Sequence, residues 1–152
     1  MSNNKGQSLF EVIVALGVTG LVLLALVAVA TISIRNSTFS KNITLATRHS
    51  QEAIEWLRAE KTSDWISFAN HVNASSHYCL PSLTWSYPVS SNCPVSQVIP
   101  STIFIRRADF SGPSDSNGDG RGDTVTAIVS TSWTDSKGLH DARSSTIFTS
   151  WN

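Results

Sequence analysis

The strongest constraint on this chain is a long stretch without charge near its N-terminus. No Asp, Glu, Lys or Arg occurs from Val12 to Ile34, a run of 23 residues. A transmembrane helix needs about 20 apolar residues, so this run is long enough to cross a bilayer. Glu11 stands directly before it, and a carboxylate inside a membrane costs on the order of 2.5–3.5 kcal/mol even on insertion scales. The sequence therefore predicts one membrane-spanning helix that starts with a carboxylate of functional importance.

The helix is predicted to continue beyond the apolar run. No proline occurs from Met1 to His77, and proline is the residue that most strongly ends a helix. After Arg35 the apolar residues follow the 3.6-residue period of an amphipathic helix, at Ile43, Ala46, Ala53, Ile54 and Leu57. We expect one helix from about Ser8 to about Lys61. Its weakest part is residues 35–42, where Ser, Thr and Asn favour a kink or local melting.

The polar remainder of the chain predicts a small antiparallel sheet. Asp64 is placed to cap a short helix through Phe68. Alternation then predicts a strand in "STIFIRRADF", with Ile103 and Ile105 on one face and Phe104 and Arg106 on the other. In "DTVTAIVSTSW" the apolar residues of one face are Val125, Ala127, Val129 and Trp133. "TDSKG", at 134–138, supplies a turn before the closing strand "SSTIFTSW". The expected fold class is α+β: a long N-terminal α-helix, half transmembrane and half amphipathic, packed on a small antiparallel β-sheet.

Two cysteines lie in the polar part of the chain. Cys79 and Cys93 are each other's strongest candidate partners, and a disulfide between them implies an oxidising compartment. The alternative is a metal pair with His71 or His77, but four ligands at a suitable spacing are missing from the sequence. The chain has no net charge and no basic face that predicts nucleic-acid binding. No nucleophile or metalloprotease motif is present, so we expect no enzymatic activity.

Three interpretations of the N-terminal segment are open on the residues alone. A secretory signal would use Lys5 as its basic region and residues 28–30 as its cleavage site, although the run is longer than the 7–15 residues of such signals. A plain single-pass anchor would let Glu11 reach the membrane interface. The third interpretation takes the whole pattern: a polar leader that ends in Lys5-Gly6, then Gln7-Ser8-Leu9-Phe10, then Glu11 and the apolar run.

That pattern resembles the prepilin signature of type IV pilins and type II secretion pseudopilins, and "SLFEVIVAL" is most similar to their minor variants. The resemblance implies that a prepilin peptidase cuts between Gly6 and Gln7, so that Glu11 becomes the fifth residue. Gln7 replaces the usual phenylalanine at the N-methylated first position. The resemblance also implies polymerisation with other pilin subunits, in a homo- or heteropolymer raised by an inner-membrane assembly platform. Glu11 would then pair with the N-terminal amine of a neighbouring subunit.

The expected organisation has four parts: a leader at residues 1–6, a transmembrane and polymerisation helix at 7–34, an amphipathic half at 35–61 and an extracytoplasmic β-rich domain at 62–152. Positive charge is heavier after the apolar run, at Arg35, Lys41 and Arg48, than before it. The positive-inside rule alone would place the C-terminal domain in the cytoplasm. The cysteine pair and the Ser/Thr-rich composition favour the outside, and the prediction follows them to a cell-surface filament. The alternative function is a membrane-anchored extracytoplasmic binding domain that never polymerises.

"DSNGDGRGD", at residues 115–123, predicts a calcium loop. Its oxygen ligands would be Asp115, Asn117, Asp119, the main-chain carbonyl of Arg121 and Asp123. Thr126 stands where an EF-hand has its bidentate Glu, and a strand rather than a helix follows. The loop is therefore expected to be either a shortened, extracellular kind of calcium site or a solvated turn without metal.

Overall fold

The structure, a computed structural model, describes residues 5–115 and 122–150, and for residues 5–8 the backbone alone. Its elements are α1 (Lys5–Ser63), α2 (Trp65–Ala74), β1 (His77–Cys79), β2 (Ile105–Ser114), β3 (Thr124–Asp135) and β4 (Gly138–Thr149). The four strands form one antiparallel sheet in the order β1-β2-β3-β4. The predicted α+β fold class is confirmed.

Helix α1 extends close to the predicted bounds and is not interrupted between them. Residues 35–42 remain helical, so the local melting expected there is wrong. The Thr38 hydroxyl donates a hydrogen bond to the carbonyl of Ile34 at 3.1 Å. Threonine is a poor helix former, but this bond satisfies its hydroxyl while the backbone stays helical. By their contacts the residues divide into two compact units, Met1–Lys41 and Asn42–Asn152.

In the second unit, the amphipathic part of α1 covers one face of the sheet, here called the inner face. The buried stripe of the helix consists of Ala46, Ser50, Ala53, Ile54 and Leu57, and the first three of these residues are small. Small side chains let a helix backbone lie close to a sheet. Ser50 Oγ lies 2.8 Å from Thr131 Oγ1 and donates to the carbonyl of Ala142 at 3.2 Å. This buried hydroxyl therefore has the partners that burial requires.

The strands alternate as the sequence predicts. The inner face of β3 carries Val125, Ala127, Val129, Thr131 and Trp133, all buried. In the neighbouring segment, at the start of β2 and just before it, Phe104 and Arg106 are buried, whereas Ile103 is exposed. Ser136 and Lys137 form the predicted turn into β4, and the Asp135 carboxylate accepts a hydrogen bond from Lys137 N at 2.7 Å. Gly138 has a φ of +118°, which glycine adopts without strain.

Asp64 caps α2 as expected, because its carboxylate accepts hydrogen bonds from Ile66 N at 2.9 Å and Ser67 N at 3.2 Å. The predicted end of this helix at Phe68 is wrong. The helix continues to Ala74 because Phe68 and Val72, one turn apart, are both buried in the core.

Candidate membrane and assembly segment

The first unit is an apolar helix whose described side chains are all exposed. From Leu9 to Ile34 its large apolar side chains are between 47% and 70% exposed. Among the described residues, α1 is the one helix long and apolar enough to cross a membrane. Leaving such a surface in water is unfavourable by about 25 cal/mol per Å² of apolar area. The segment therefore belongs in lipid or among other helices, and its length and composition fit a single-pass membrane anchor.

The polar side chains of this segment are compatible with hydrocarbon. Thr19 donates to the carbonyl of Ala15 at 2.7 Å, and Thr31 donates to that of Val27 at 2.8 Å. Both hydroxyls are therefore satisfied inside the helix, as a membrane demands. A Cβ added at Gly17 would meet no atom within 4 Å, so the small size of this residue serves no contact within the described chain.

The predicted processing and assembly residues lie at the start of α1. The Gly6–Gln7 bond is in the first turn, and Glu11 is exposed. Gln7 and Glu11 are four residues apart, which places them one turn apart on the same helix face. Among the ion pairs of the described residues, none involves Glu11.

Cys79 and Cys93 form the predicted disulfide, with their Cα atoms 5.6 Å apart. Because both sulfurs are in the disulfide, neither is free for the alternative metal pair with His71 or His77, and His77 places Nδ1 2.7 Å from a carboxylate oxygen of Asp109. That alternative is wrong. The loop closed by the disulfide also runs along the outer edge of β1, where the N–H of Cys79 donates to the carbonyl of Tyr87 at 2.9 Å.

The same loop is held on the helices by Trp85, a role that the sequence does not reveal. The Trp85 indole N–H donates to Glu60 at 2.9 Å. Its ring stacks on His71 with centroids 4.6 Å apart and lies 4.9 Å from the Trp56 ring. Aromatic pairs at such distances add about 0.5–1.5 kcal/mol each beyond the burial of their area. The loop is thus fastened at two points, by a covalent bond and by an aromatic anchor.

The acidic loop is described only at its ends. Asn117, Asp119 and Arg121 lie outside the described residues. Asp123 N donates to the carbonyl of Ser114 at 3.0 Å, so the hairpin brings Asp115 and Asp123, the first and last predicted ligands, to the base of one loop. Asp123 is buried and accepts a hydrogen bond from the Thr124 hydroxyl at 3.0 Å. In the part of the chain that the structure describes, no group of three acidic, His or Cys residues is assembled for a metal.

A buried cation ties the sheet to α1, and sequence reasoning did not find it. The Arg106 side chain is 3% exposed and donates to the carbonyls of Leu80 and His49, each at 3.0 Å, and to the Glu52 carboxylate at 2.9 Å. Burial lowers the pKa of the guanidinium, and Glu52 opposes that shift. Burial on its own raises the pKa of the Glu52 carboxyl, but hydrogen bonds from His49 and Arg106 outweigh it, so this pKa lies below its ordinary 4.5.

Comparison with known proteins adds one match. A family model described as the prokaryotic N-terminal methylation motif matches residues 1–27. No curated protein and no solved structure matches the chain. The matched residues contain the Gly6–Gln7 bond, Glu11 and the first part of the apolar run, whereas the sheet lies outside the match.

Proposed function

Because this N-terminal segment is that of the type IV pilin and pseudopilin family, we propose that the protein is a structural subunit, of the minor kind, in a pilus-like or pseudopilus filament. A prepilin peptidase cleaves it after Gly6, and it polymerises through α1. The observation that carries this proposal is the combination of the matched motif with an apolar helix exposed on every side. Such a helix is suited first to lipid and then to a bundle of other helices.

Glu11 would direct the transfer from membrane to filament. In the bilayer its charge would have no partner, and a charge at the centre of a membrane helix is unfavourable by about 2.5–3.5 kcal/mol on insertion scales. Cleavage creates a new amine on Gln7, which is one helical turn from Glu11 in the same chain. In a bundle that amine can pair with the Glu11 carboxylate of a neighbouring subunit. Removing both charges from water offsets much of the attraction, so the pair would set the register of docking more than the strength of the filament.

The partners and the location follow from the same mechanism. The subunit would be inserted through residues 12–34, contact the prepilin peptidase and the inner-membrane assembly platform, and then join other pilin subunits. The disulfide between Cys79 and Cys93 supports an extracytoplasmic place for the sheet, since disulfides persist in oxidising compartments. The filament would display this unit at the cell surface. The competing function, a binding domain on a permanent anchor, gives the matched motif no role.

Replacement of Glu11 tests the proposal. We expect Glu11→Ala to be inserted and cleaved normally but to be depleted at least about ten-fold from sheared filaments. The matched control is Glu55→Ala, which removes an exposed carboxylate paired with Arg58 elsewhere on α1 and should assemble normally. Immunoblots of membranes and of filaments report both fractions. Normal incorporation of Glu11→Ala would contradict the assembly mechanism.

We propose further that the loop at residues 115–123 binds calcium. Its donors are the carboxylate and amide oxygens that this hard cation prefers, and the β2–β3 hairpin holds two of them, Asp115 and Asp123, at its base. Bound calcium would stiffen the loop before β3. Thermal unfolding of the full chain in detergent should shift upward by several degrees in millimolar calcium and return in chelator. Asp119→Asn should abolish the shift, whereas Glu55→Gln, at an exposed carboxylate on α1, should leave it intact. A melting temperature insensitive to calcium would refute this site.

A further inference from the structure

The two edges of the sheet are covered differently. At the β1 edge, the loop supplies main-chain partners: the N–H of Val89 donates to the carbonyl of His77, and the N–H of Cys79 donates to that of Tyr87, each at 2.9 Å. At the β4 edge, no such main-chain hydrogen bond occurs within residues 5–115 and 122–150. An uncovered strand edge is a template for pairing with another chain. β4, with its 12 residues, is therefore the place where a second chain can extend this sheet.

The ladder determines which β4 residues face the open edge. Ser150 N donates to the carbonyl of Asp123 at 2.7 Å, which continues the register in which Thr149 lies opposite Thr124. Residues of an antiparallel strand alternate between bonding to one neighbour and turning their main-chain groups to the other side. The even-numbered residues of β4 thus bond to β3, and the odd-numbered ones face the edge. From 139 to 147 the odd-numbered residues are also exposed, namely Leu139, Asp141, Arg143, Ser145 and Ile147.

We propose that β4 pairs antiparallel with β4 of a second copy of this chain, across a two-fold axis at Ala142. In this register Asp141 of each copy lies directly opposite Arg143 of the other, in a hydrogen-bonded pair. Opposite charges at such positions stabilise an antiparallel pair. Leu139 and Ile147, which are 74% and 64% exposed, become diagonal neighbours across the axis, within reach of large side chains.

Charge selects this register over its neighbours. An axis at Asp141 would place two carboxylates opposite each other, and an axis at Arg143 would place two guanidinium groups opposite each other. An axis at His140 would set Arg143 against Lys137. Within one chain Arg143 donates to Asp141. Their side chains are 71% and 39% exposed, so both are accessible to a partner. Within residues 138–149, the axis at Ala142 is the one two-fold register that places Asp141 opposite Arg143.

The pairing also has a direction. Ala46 packs in a cluster with Trp133 and Ala142, whereas Leu57 packs in the cluster of Phe148, so this part of α1 runs along β4. A two-fold axis through the sheet reverses that direction in the second copy. Subunits of a head-to-tail fibre all point the same way. The contact therefore joins subunits of two separate fibres, a consequence that rests on the proposed function, whereas the pairing itself does not.

Complementary charge reversals test the pairing. Sedimentation equilibrium of the full chain in detergent micelles measures its self-association. Asp141→Arg alone and Arg143→Asp alone each convert two attractive contacts into two repulsive ones, and each should weaken dimerisation about ten-fold or more. An equimolar mixture of the two variants restores opposite charges at both positions, so the mixture should dimerise like the wild type. The matched controls, Glu55→Arg and Arg58→Glu, reverse an exposed ion pair on α1 and should leave dimerisation unchanged.

The outcomes are decisive in both directions. Loss of the dimer in each variant, together with its recovery in the mixture, supports the β4 contact, because the ion pair within one chain cannot produce recovery on mixing. A monomeric wild type overturns the proposal. So do single variants that associate as strongly as the wild type, since association would then run through the apolar helix. Cleavage before Gln7 is measured independently of dimerisation. A result that overturns the β4 contact therefore does not contradict the proposal that the protein is a filament subunit.

Discussion

Replacing Arg106 with methionine should destabilise the second unit by about 2 kcal/mol. Methionine keeps the apolar stem but loses the three hydrogen bonds that the guanidinium donates. The carbonyl of His49 lies inside α1 and keeps its helical partner, whereas the buried carbonyl of Leu80 loses a charged donor, which costs about 1–3 kcal/mol. Removing a buried cation also removes its desolvation cost, which holds the net effect to the middle of that range.

Glu52→Ala should cost a similar amount for the opposite reason. It leaves the Arg106 cation buried with carbonyl partners only, a defect that costs about 3–5 kcal/mol when both charges are buried. The Glu52 side chain is 53% exposed, so water screens its charge and the expected loss falls to about 2 kcal/mol. Once Arg106 is gone, Glu52 has no buried charge to neutralise. The double variant should therefore cost about 2–3 kcal/mol instead of the sum of about 4.

Urea unfolding of the full chain in detergent, followed by tryptophan fluorescence, measures these free energies. Arg107→Met is the matched control, because Arg107 is adjacent but points to the outer face, where its pair with Asp109 is partly exposed. We expect it to cost about 1 kcal/mol or less. Equal losses for the Arg106 and Arg107 variants, or simple additivity of Arg106→Met with Glu52→Ala, would refute the reasoning.

Further predictions concern the same unit. Replacing Cys79 and Cys93 together by serine should cost about 3 kcal/mol by the chain-entropy estimate for a loop of about 15 residues, and wild type treated with dithiothreitol should unfold at the same urea concentration as this variant. Trp85→Ala should cost about 3 kcal/mol through lost aromatic contacts, whereas Ile66→Ala, at a side chain that is 72% exposed, should cost little in the same unfolding assay. Because the pKa of Glu52 is lowered from 4.5 in the folded chain, its contribution to stability is complete above a pH of about 4.5 and is lost as the pH falls through the folded pKa. Unfolding of Glu52→Gln should show a weaker dependence on pH in that range.

Local patterns in the sequence predicted much of the fold. The bounds of α1, the cap at Asp64, the alternation of β3 and the turn at residues 134–138 each depend on neighbours within a few positions. The errors also have local causes. The Ser/Thr/Asn-rich segment at 35–42 stays helical because a hydroxyl such as that of Thr38 bonds back to its own helix. The second helix passes Phe68 because its buried face continues to Val72.

The contacts that the sequence did not reveal join residues far apart in the chain. Arg106 meets His49 and Glu52 only after the sheet has packed on α1, and the alternation in "IFIRRADF" does not say that the face with an arginine is the buried one. Trp85 stands in a loop without periodicity, so its anchoring role depends on partners from both helices. The candidate assembly site is the reverse case, because the spacing of Gly6, Gln7 and Glu11 is itself the signal and requires no tertiary contact.

The mature N-terminus is the most direct test of the central claim. Intact-mass and N-terminal peptide measurements on the protein recovered from cells should show a chain that begins at Gln7, the result that cleavage after Gly6 predicts. A chain that begins at Met1 would identify a plain anchor, and one that begins at Thr31 a cleaved secretory signal. Either of these results would contradict the account of this protein as a filament subunit.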